Sequence, residues 1–327
     1  MIYWLRQHGF TLLLFCAVAL AFLGPAPVRL LESHWAGRTA EFAVALIFFL
    51  QGLSLPLRQM LAGLLPLRLH LFVLSWNFAL FPALAVLLLV FLGGGLGPEL
   101  AVGLWMLSIL PTTIASATAL TAASKGGVGQ AIFASIFSNL VAVFLVPLLA
   151  VVYLSKASGA ELSLLPVFIK LGWIVLLPLF AGQCLRRIFR SLCLGLSRCT
   201  RALPQLAILY IVYLSMVRTV AAGVLETLTS ARLGGAICAV ALLLGLASWG
   251  IWQSSKWMKL GEGQRISAFF TASQKSIATG LPLLTTIFGA ASMPLETGLV
   301  LVPLLLYHPL QLLLGGFLVP RFGASLS

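Results

Sequence analysis

The sequence predicts an all-α polytopic membrane protein, with ten transmembrane helices in a five-plus-five inverted repeat. Three observations carry this. Of 327 residues, 61% are hydrophobic and 8% are charged, whereas soluble domains carry about 25% charged residues. So few charged side chains cannot wet the surface of a soluble fold this large, which excludes a water-soluble enzyme. Apolar runs recur at about the 20-residue length that crosses a bilayer core of about 30 Å. Lastly, basic residues collect in alternate loops between those runs, as the topology of an inserted chain requires. The runs are long and lack two-residue alternation, which argues against a strand-built barrel.

In chain order, the first span lies near 10–31, after MIYWLRQHGF. Its small-residue end is signal-like, but Arg6 and the pairing of later spans favour a retained helix. The second, 40–55, is short. The third, 69–93, carries WNFALFP, with Asn77 five residues before Pro82. The fourth is 100–123 and the fifth 128–154. On the fifth, Ser135, Ser138 and Asn139 recur at helical spacing and share one face. The sixth, 163–185, precedes the longest charged connection, Arg186 to Arg201. The seventh is 204–226, the eighth 233–253, the ninth 265–289 and the tenth 295–319.

With ten spans, thirteen basic residues share the side of both termini, four lie opposite, and Lys170, Arg218 and Lys275 sit inside spans. That asymmetry puts both termini in the cytoplasm. It also accounts for most of the net charge of +13 without a nucleic-acid partner. The five cysteines lack metal-ligand spacing, so neither a disulfide framework nor a metal site is read from them,.

Ten spans divide into two halves of five, and an odd number inserts the halves in opposite orientations. The fourth and ninth spans are then equivalents, and both are interrupted. The fourth reads WMLSILPTTIASATALTAASKGG, with Pro111 among Ser108, Thr112, Thr113, Ser116 and further hydroxyls. The ninth reads ISAFFTASQKSIATGLPLLTTIFG, with Thr271, Ser273, Gln274, Lys275, Ser276, Gly280 and Pro282. Broken helices in corresponding positions point to a binding site near the bilayer midplane. The plain alternative is packing, because small hydroxyl residues let membrane helices approach closely.

Lys275 lies about ten residues into its span, near the bilayer centre, where a lysine costs about 2.5–3.5 kcal/mol. Its polar neighbours predict a hydrogen-bonded interior rather than lipid. Lys170 and Arg218 lie nearer span ends and are expected to snorkel outward. His308, in YHPLQLLLGG, reads either as a titrating or gating group or as a strut where Pro309 bends the tenth span. Asn77 reads either as helix glue or as an amide ligand to a cation.

These residues resemble the bile-acid:sodium symporter superfamily, and within it the SBF-like branch with the divergent seventh vertebrate member, a yeast calcium-homeostasis relative and bacterial proteins. The resemblance spans nearly the whole chain. It rests on FFLQGLSLPLRQM at 48–60, NFALFP at 77–82, SKGGVGQAIFASIFSN at 124–139, TASQKSIATGLPL at 271–283 and LLYHPLQLLLGG at 305–316. It implies a panel domain (1–60 and 160–230; helices 1, 2, 6 and 7) and a core domain (61–159 and 231–327; helices 3–5 and 8–10). Spans four and nine would unwind and cross, and alternating access would come from panel and core moving against each other.

The resemblance also implies sodium ligands, and these carry over in part. Asn77 keeps an amide where the well-studied branch has a glutamine. Ser116 and Ser135 keep hydroxyls, and Gln274 keeps its amide. Ala117 replaces an asparagine, and Phe270 stands where the glutamate shared by both sodium ions belongs. A desolvated cation wants a carboxylate nearby, and Lys275 brings an ammonium instead. The expectation is that this ammonium fills one cation position or titrates, so that coupling is to protons or absent. Candidate crossing-region residues are Asn77, Thr113, Ser116, Ser135, Asn139, Thr271, Gln274, Lys275, Ser276 and His308. There is no catalytic residue and no cofactor, and Asn77, Ser116, Ser135 and Gln274 are the residual sodium ligands.

The function expected is secondary transport of a small anionic or amphipathic organic solute in a bacterial inner membrane. The partners are the bilayer and the solute; no oligomeric state is legible. The alternative is a regulatory membrane protein acting on calcium or other ion homeostasis. Metalloid efflux ranks last, since it would use a thiol in the fourth span and none is there. HExxH and GxSxG are missing, which argues against a membrane enzyme.

Overall fold

The computed structural model describes residues 2–23, 34–54, 63–158, 164–188, 199–223, 228–291 and 295–324. Helices α1 (Ile2–Leu23) and α2 (His34–Ser54) come first. They are followed by α3 (Leu67–Leu96), α4 (Pro98–Ser108), α5 (Ile114–Ala123) and α6 (Val128–Ser158). Next come α7 (Leu165–Ile188), α8 (Cys199–Ala221) and α9 (Ser230–Trp257). The last are α10 (Glu262–Ser273), α11 (Ile277–Ala291) and α12 (Thr297–Ala324). No strand occurs among the described residues.

Six of these helices are long and apolar enough to cross a membrane: α3, α6, α7, α8, α9 and α12. Large apolar side chains stand exposed along them, such as Val90, Phe91 and Trp249, which suits a surface solvated by lipid tails. The second element begins at His34 rather than near 40, because its polar first turn is invisible to hydropathy.

The described chain groups into two compact units. The first comprises residues 1–55, 162–229 and 281–301, and the second 56–161, 230–280 and 302–327. In the first, α2 and α7 touch backbone to backbone. A Cβ on Gly52 would lie 2.2 Å from the carbonyl oxygen of Leu179, and one on Gly182 would lie 2.2 Å from that of Phe49. Small residues permit this closeness between membrane helices. The last carbonyls of α2 have no partner within their own helix. Gln183 Nε2 donates to the Gly52 oxygen at 2.7 Å, and Arg186 Nη1 donates to the Leu53 oxygen at 2.7 Å.

Lys170 Nζ pairs with Glu41 Oε1 of α2 at 2.8 Å, a partner that hydropathy alone does not identify. Glu41, Lys170, Arg218, Thr286 and Glu296 are among the residues lining a cavity of about 320 Å³ in this unit.

In the second unit, α3 takes a π-helical turn over Trp76–Leu80. Pro82 has no N–H to donate to the carbonyl four residues back, and the wide turn precedes it directly. Such turns often mark functional positions. Here the turn holds Asn77 fully buried.

Candidate functional site

The site lies within the second unit, where two helices end and restart. Helix α4 stops at Ser108 and α5 begins at Ile114; α10 stops at Ser273 and α11 begins at Ile277. The two extended stretches run antiparallel, with Thr112 opposite Lys275. The Thr113 N–H donates to the Gln274 oxygen at 3.2 Å, and the Ser276 N–H donates to the Pro111 oxygen at 2.9 Å. Backbone groups that a broken helix leaves unpaired inside a membrane protein must find partners, and each break supplies them to the other. The fourth-span break falls at Pro111 as expected. The ninth-span break falls at Gln274–Ser276, and Pro282 lies inside α11. Pro282 is the sixth residue of α11, past its first turn, and forfeits one helical amide bond without breaking the helix,.

Lys275 sits at the crossing, 0% exposed. Its Nζ donates toward the Ser108 oxygen at 2.8 Å and the Leu110 oxygen at 2.9 Å. It also faces the backbone oxygen and Oδ1 of Asn77, each at 3.3 Å. The ring of Phe81 covers another side, with its centroid 4.1 Å from Nζ, a cation–π distance.

Asn77 connects this ammonium to the rest. With Oδ1 toward Lys275, its Nδ2 donates to Thr112 Oγ1 at 2.8 Å and Ser138 Oγ at 3.1 Å. The Thr112 hydroxyl in turn donates to the Thr271 carbonyl. Gln311 holds the other end. Its Oε1 accepts the Lys275 N–H at 2.6 Å, and its Nε2 donates to the Lys275 oxygen at 3.0 Å and contacts His308 Nδ1 at 3.1 Å. Tyr307 donates its hydroxyl to the Ser273 oxygen at 2.8 Å.

The other predicted residues fall around this centre. Ser116 donates to Gln274 Oε1 at 3.1 Å, and Gln274 Nε2 donates to the Gln311 oxygen at 3.1 Å. Asn139 Nδ2 donates to the Thr112 oxygen at 2.6 Å and the Ser135 oxygen at 2.8 Å, while its Oδ1 accepts the Thr279 hydroxyl at 2.5 Å. Ser276 Oγ accepts the Thr279 N–H at 3.1 Å, capping α11. Thr271 donates to the Ser267 oxygen at 2.6 Å. Thr113 is the N-cap of α5 without a side-chain cap bond. Ser135 Oγ is buried with no hydrogen-bond partner among the described residues. His308 is half-buried and joins the network through Gln311.

Two of the oxygens implied for sodium accept hydrogen bonds, while Ser135 Oγ has no partner among the described residues. Asn77 Oδ1 faces the ammonium, and Gln274 Oε1 accepts from Ser116. Among the described residues, no cluster of three or more acidic, histidine or cysteine side chains could hold a metal ion. With the Lys275 ammonium against Asn77 Oδ1 and a buried phenylalanine at position 270, the donor set lacks the negative charge that would suit a pair of sodium ions,.

Sequence reasoning missed Gln311, Tyr307, Phe81 and the carbonyls of Ser108 and Leu110 as members of the site. Tyr307 and Gln311 are four apart on α12 and so share a face, which is a usable signal. Phe81 and the carbonyls carry no signal, since any residue type offers a carbonyl.

Residues 8–324 match the SBF-like CPA transporter family. An uncharacterized protein of Pseudomonas aeruginosa is 31% identical over 315 residues, which cover 96% of this chain and 92% of that one. Sodium/bile acid cotransporter 7 of Danio rerio is 30% identical over 288 residues, 87% of this chain and 84% of that one. The Xenopus tropicalis protein of the same name is 30% identical over 281 residues, 85% and 80% of the two chains.

Proposed function

The chain belongs to the SBF-like CPA transporter family, a family of carriers rather than enzymes, and from that premise we propose that it moves a small anionic or amphipathic organic solute by alternating access. The observation that carries this is the paired break at Pro111–Thr113 and Gln274–Ser276. Irregular backbone at membrane depth is tolerated where it is buried in protein or lines a cavity, and carriers place their sites at such breaks. An anionic solute suits the local electrostatics. Two half-helices, α5 and α11, begin at the crossing and present positive dipole ends, and Lys275 adds a formal charge.

The full architecture is ten spans in two inverted halves of five, with both termini cytoplasmic, in a bacterial inner membrane. The panel is residues 1–60 and 160–230, and the core 61–159 and 231–327. The two compact units support this division except over 281–301, which groups with the first unit. The charge asymmetry of the loops supports the orientation.

The test compares metabolites taken up or exported by cells with and without the protein. Each solute that differs is then added to the purified protein, which a true substrate stabilises against heat in proportion to its occupancy. No solute signal, together with altered calcium influx, would instead favour a regulatory role in ion homeostasis.

A further inference from the structure

We infer that the ammonium of Lys275 is a resident cation: it stands in the place of a bound sodium ion, and the crossing is complete without one. The coordination has the form of a metal site rather than an ion pair. Four oxygens surround Nζ at 2.8–3.3 Å: the backbone oxygens of Ser108, Leu110 and Asn77, and Asn77 Oδ1. Ser108 and Leu110 lie at the C-terminal end of α4, the negative pole of a helix dipole. Unwound carbonyls and half-helix C-termini are what carriers use to hold sodium.

The charge state follows from the partners. An ammonium has three donor hydrogens and no lone pair. Every polar atom that Nζ meets is an acceptor. A neutral amine would turn its lone pair on oxygens and waste the arrangement.

Among the described residues, no carboxylate is bonded at the crossing. The acidic residues described in the second unit are Glu99 and Glu262, in the first turns of α4 and α10. Those turns lie at the ends of α4 and α10 away from the breaks. Position 270, four residues before Gln274, is a fully buried phenylalanine. Among the described residues, oxygen dipoles and the Phe81 ring balance the ammonium, and a second cation beside it would meet repulsion.

The inference bears on the coupling of the transport site proposed above, but its test needs no transported solute. The full-length protein is purified in detergent, and thermal unfolding is followed as sodium chloride replaces N-methylglucamine chloride at constant ionic strength. The wild type is expected to keep its Tm throughout. In Lys275→Ala, the oxygens lose their cation. Propylammonium, the part of the side chain removed, is expected to raise that variant's Tm saturably, and neutral propanol is not. A saturable sodium-dependent rise in wild-type Tm would overturn the inference. So would a Lys275→Ala protein that responds equally to propanol and propylammonium, or to neither. If Lys275→Ala does not fold, equilibrium dialysis of the wild type against radioactive sodium decides alone: no saturable binding supports the resident cation, and saturable binding refutes it. Failure to find a solute would sink the transport proposal and leave these readouts untouched.

Discussion

The side-chain amide of Gln311 pairs with both backbone polar groups of Lys275, accepting its N–H at 2.6 Å and donating to its oxygen at 3.0 Å. An amide that presents donor and acceptor side by side imitates the edge of a neighbouring strand. Lys275 is thereby held extended between α10 and α11. The break in the ninth span is thus fixed from α12.

Gln311→Leu is expected to destabilise the protein by about 2–6 kcal/mol, since it strands a buried N–H and a buried carbonyl at about 1–3 kcal/mol each. Denaturant unfolding in detergent measures it. A loss below 1 kcal/mol would mean that water or another side chain replaces the amide.

Asn77 supplies one oxygen to the ammonium and two donors to Thr112 and Ser138. Asn77→Leu leaves the buried charge short of a ligand, and a cost of about 3 kcal/mol or more is expected. Asn77→Asp offers a carboxylate at the same place, where Ser138 can turn its hydroxyl to donate,. The aspartate variant should therefore melt above the leucine variant. The reverse order would show that Asn77 matters for its NH₂ group rather than for its oxygen.

Gly52→Ala and Gly182→Ala should each be destabilising, because the new methyl meets a main-chain oxygen at 2.2 Å and neither backbone can rotate away. Overpacking of this kind costs about 1–3 kcal/mol. Gly245 in α9 has nothing within 4 Å of its would-be Cβ. Gly245→Ala should be neutral or stabilising by up to about 1 kcal/mol, the helix-propensity difference. Parallel melting curves of the three variants check the contrast.

Removing the Lys170–Glu41 pair should do little to stability. The side chains are 28% and 49% exposed, and exposed ion pairs contribute about 0–1 kcal/mol. Glu41→Gln is expected to shift unfolding by less than 1 kcal/mol, and high salt should erase the difference.

The elements were largely legible in advance. The described helices fall where the apolar runs lie, and the fourth and ninth spans are interrupted, between α4 and α5 and between α10 and α11, as the clusters of serine, threonine and proline predict. Pro111 marked its break because a missing N–H is a local property. The break in the ninth span falls at Gln274–Ser276 and not at Pro282, and its extended backbone is paired by Gln311, 36 residues away from Lys275. The pairing of Lys170 with Glu41 was not legible, because it depends on how α7 packs on α2.

What the sequence by itself determined was insertion into a membrane, the order of the helices and the presence of a positive charge, Lys275, in the middle of the ninth span. Those follow from hydropathy, spacing and formal charge, which are sums along the chain. Only the tertiary structure decided what that charge meets. Three of its four oxygen ligands are backbone carbonyls, from Asn77, Ser108 and Leu110. A carbonyl is present in every residue, so its role depends on where two breaks bring the backbone and leaves no trace in the side chains that a sequence records.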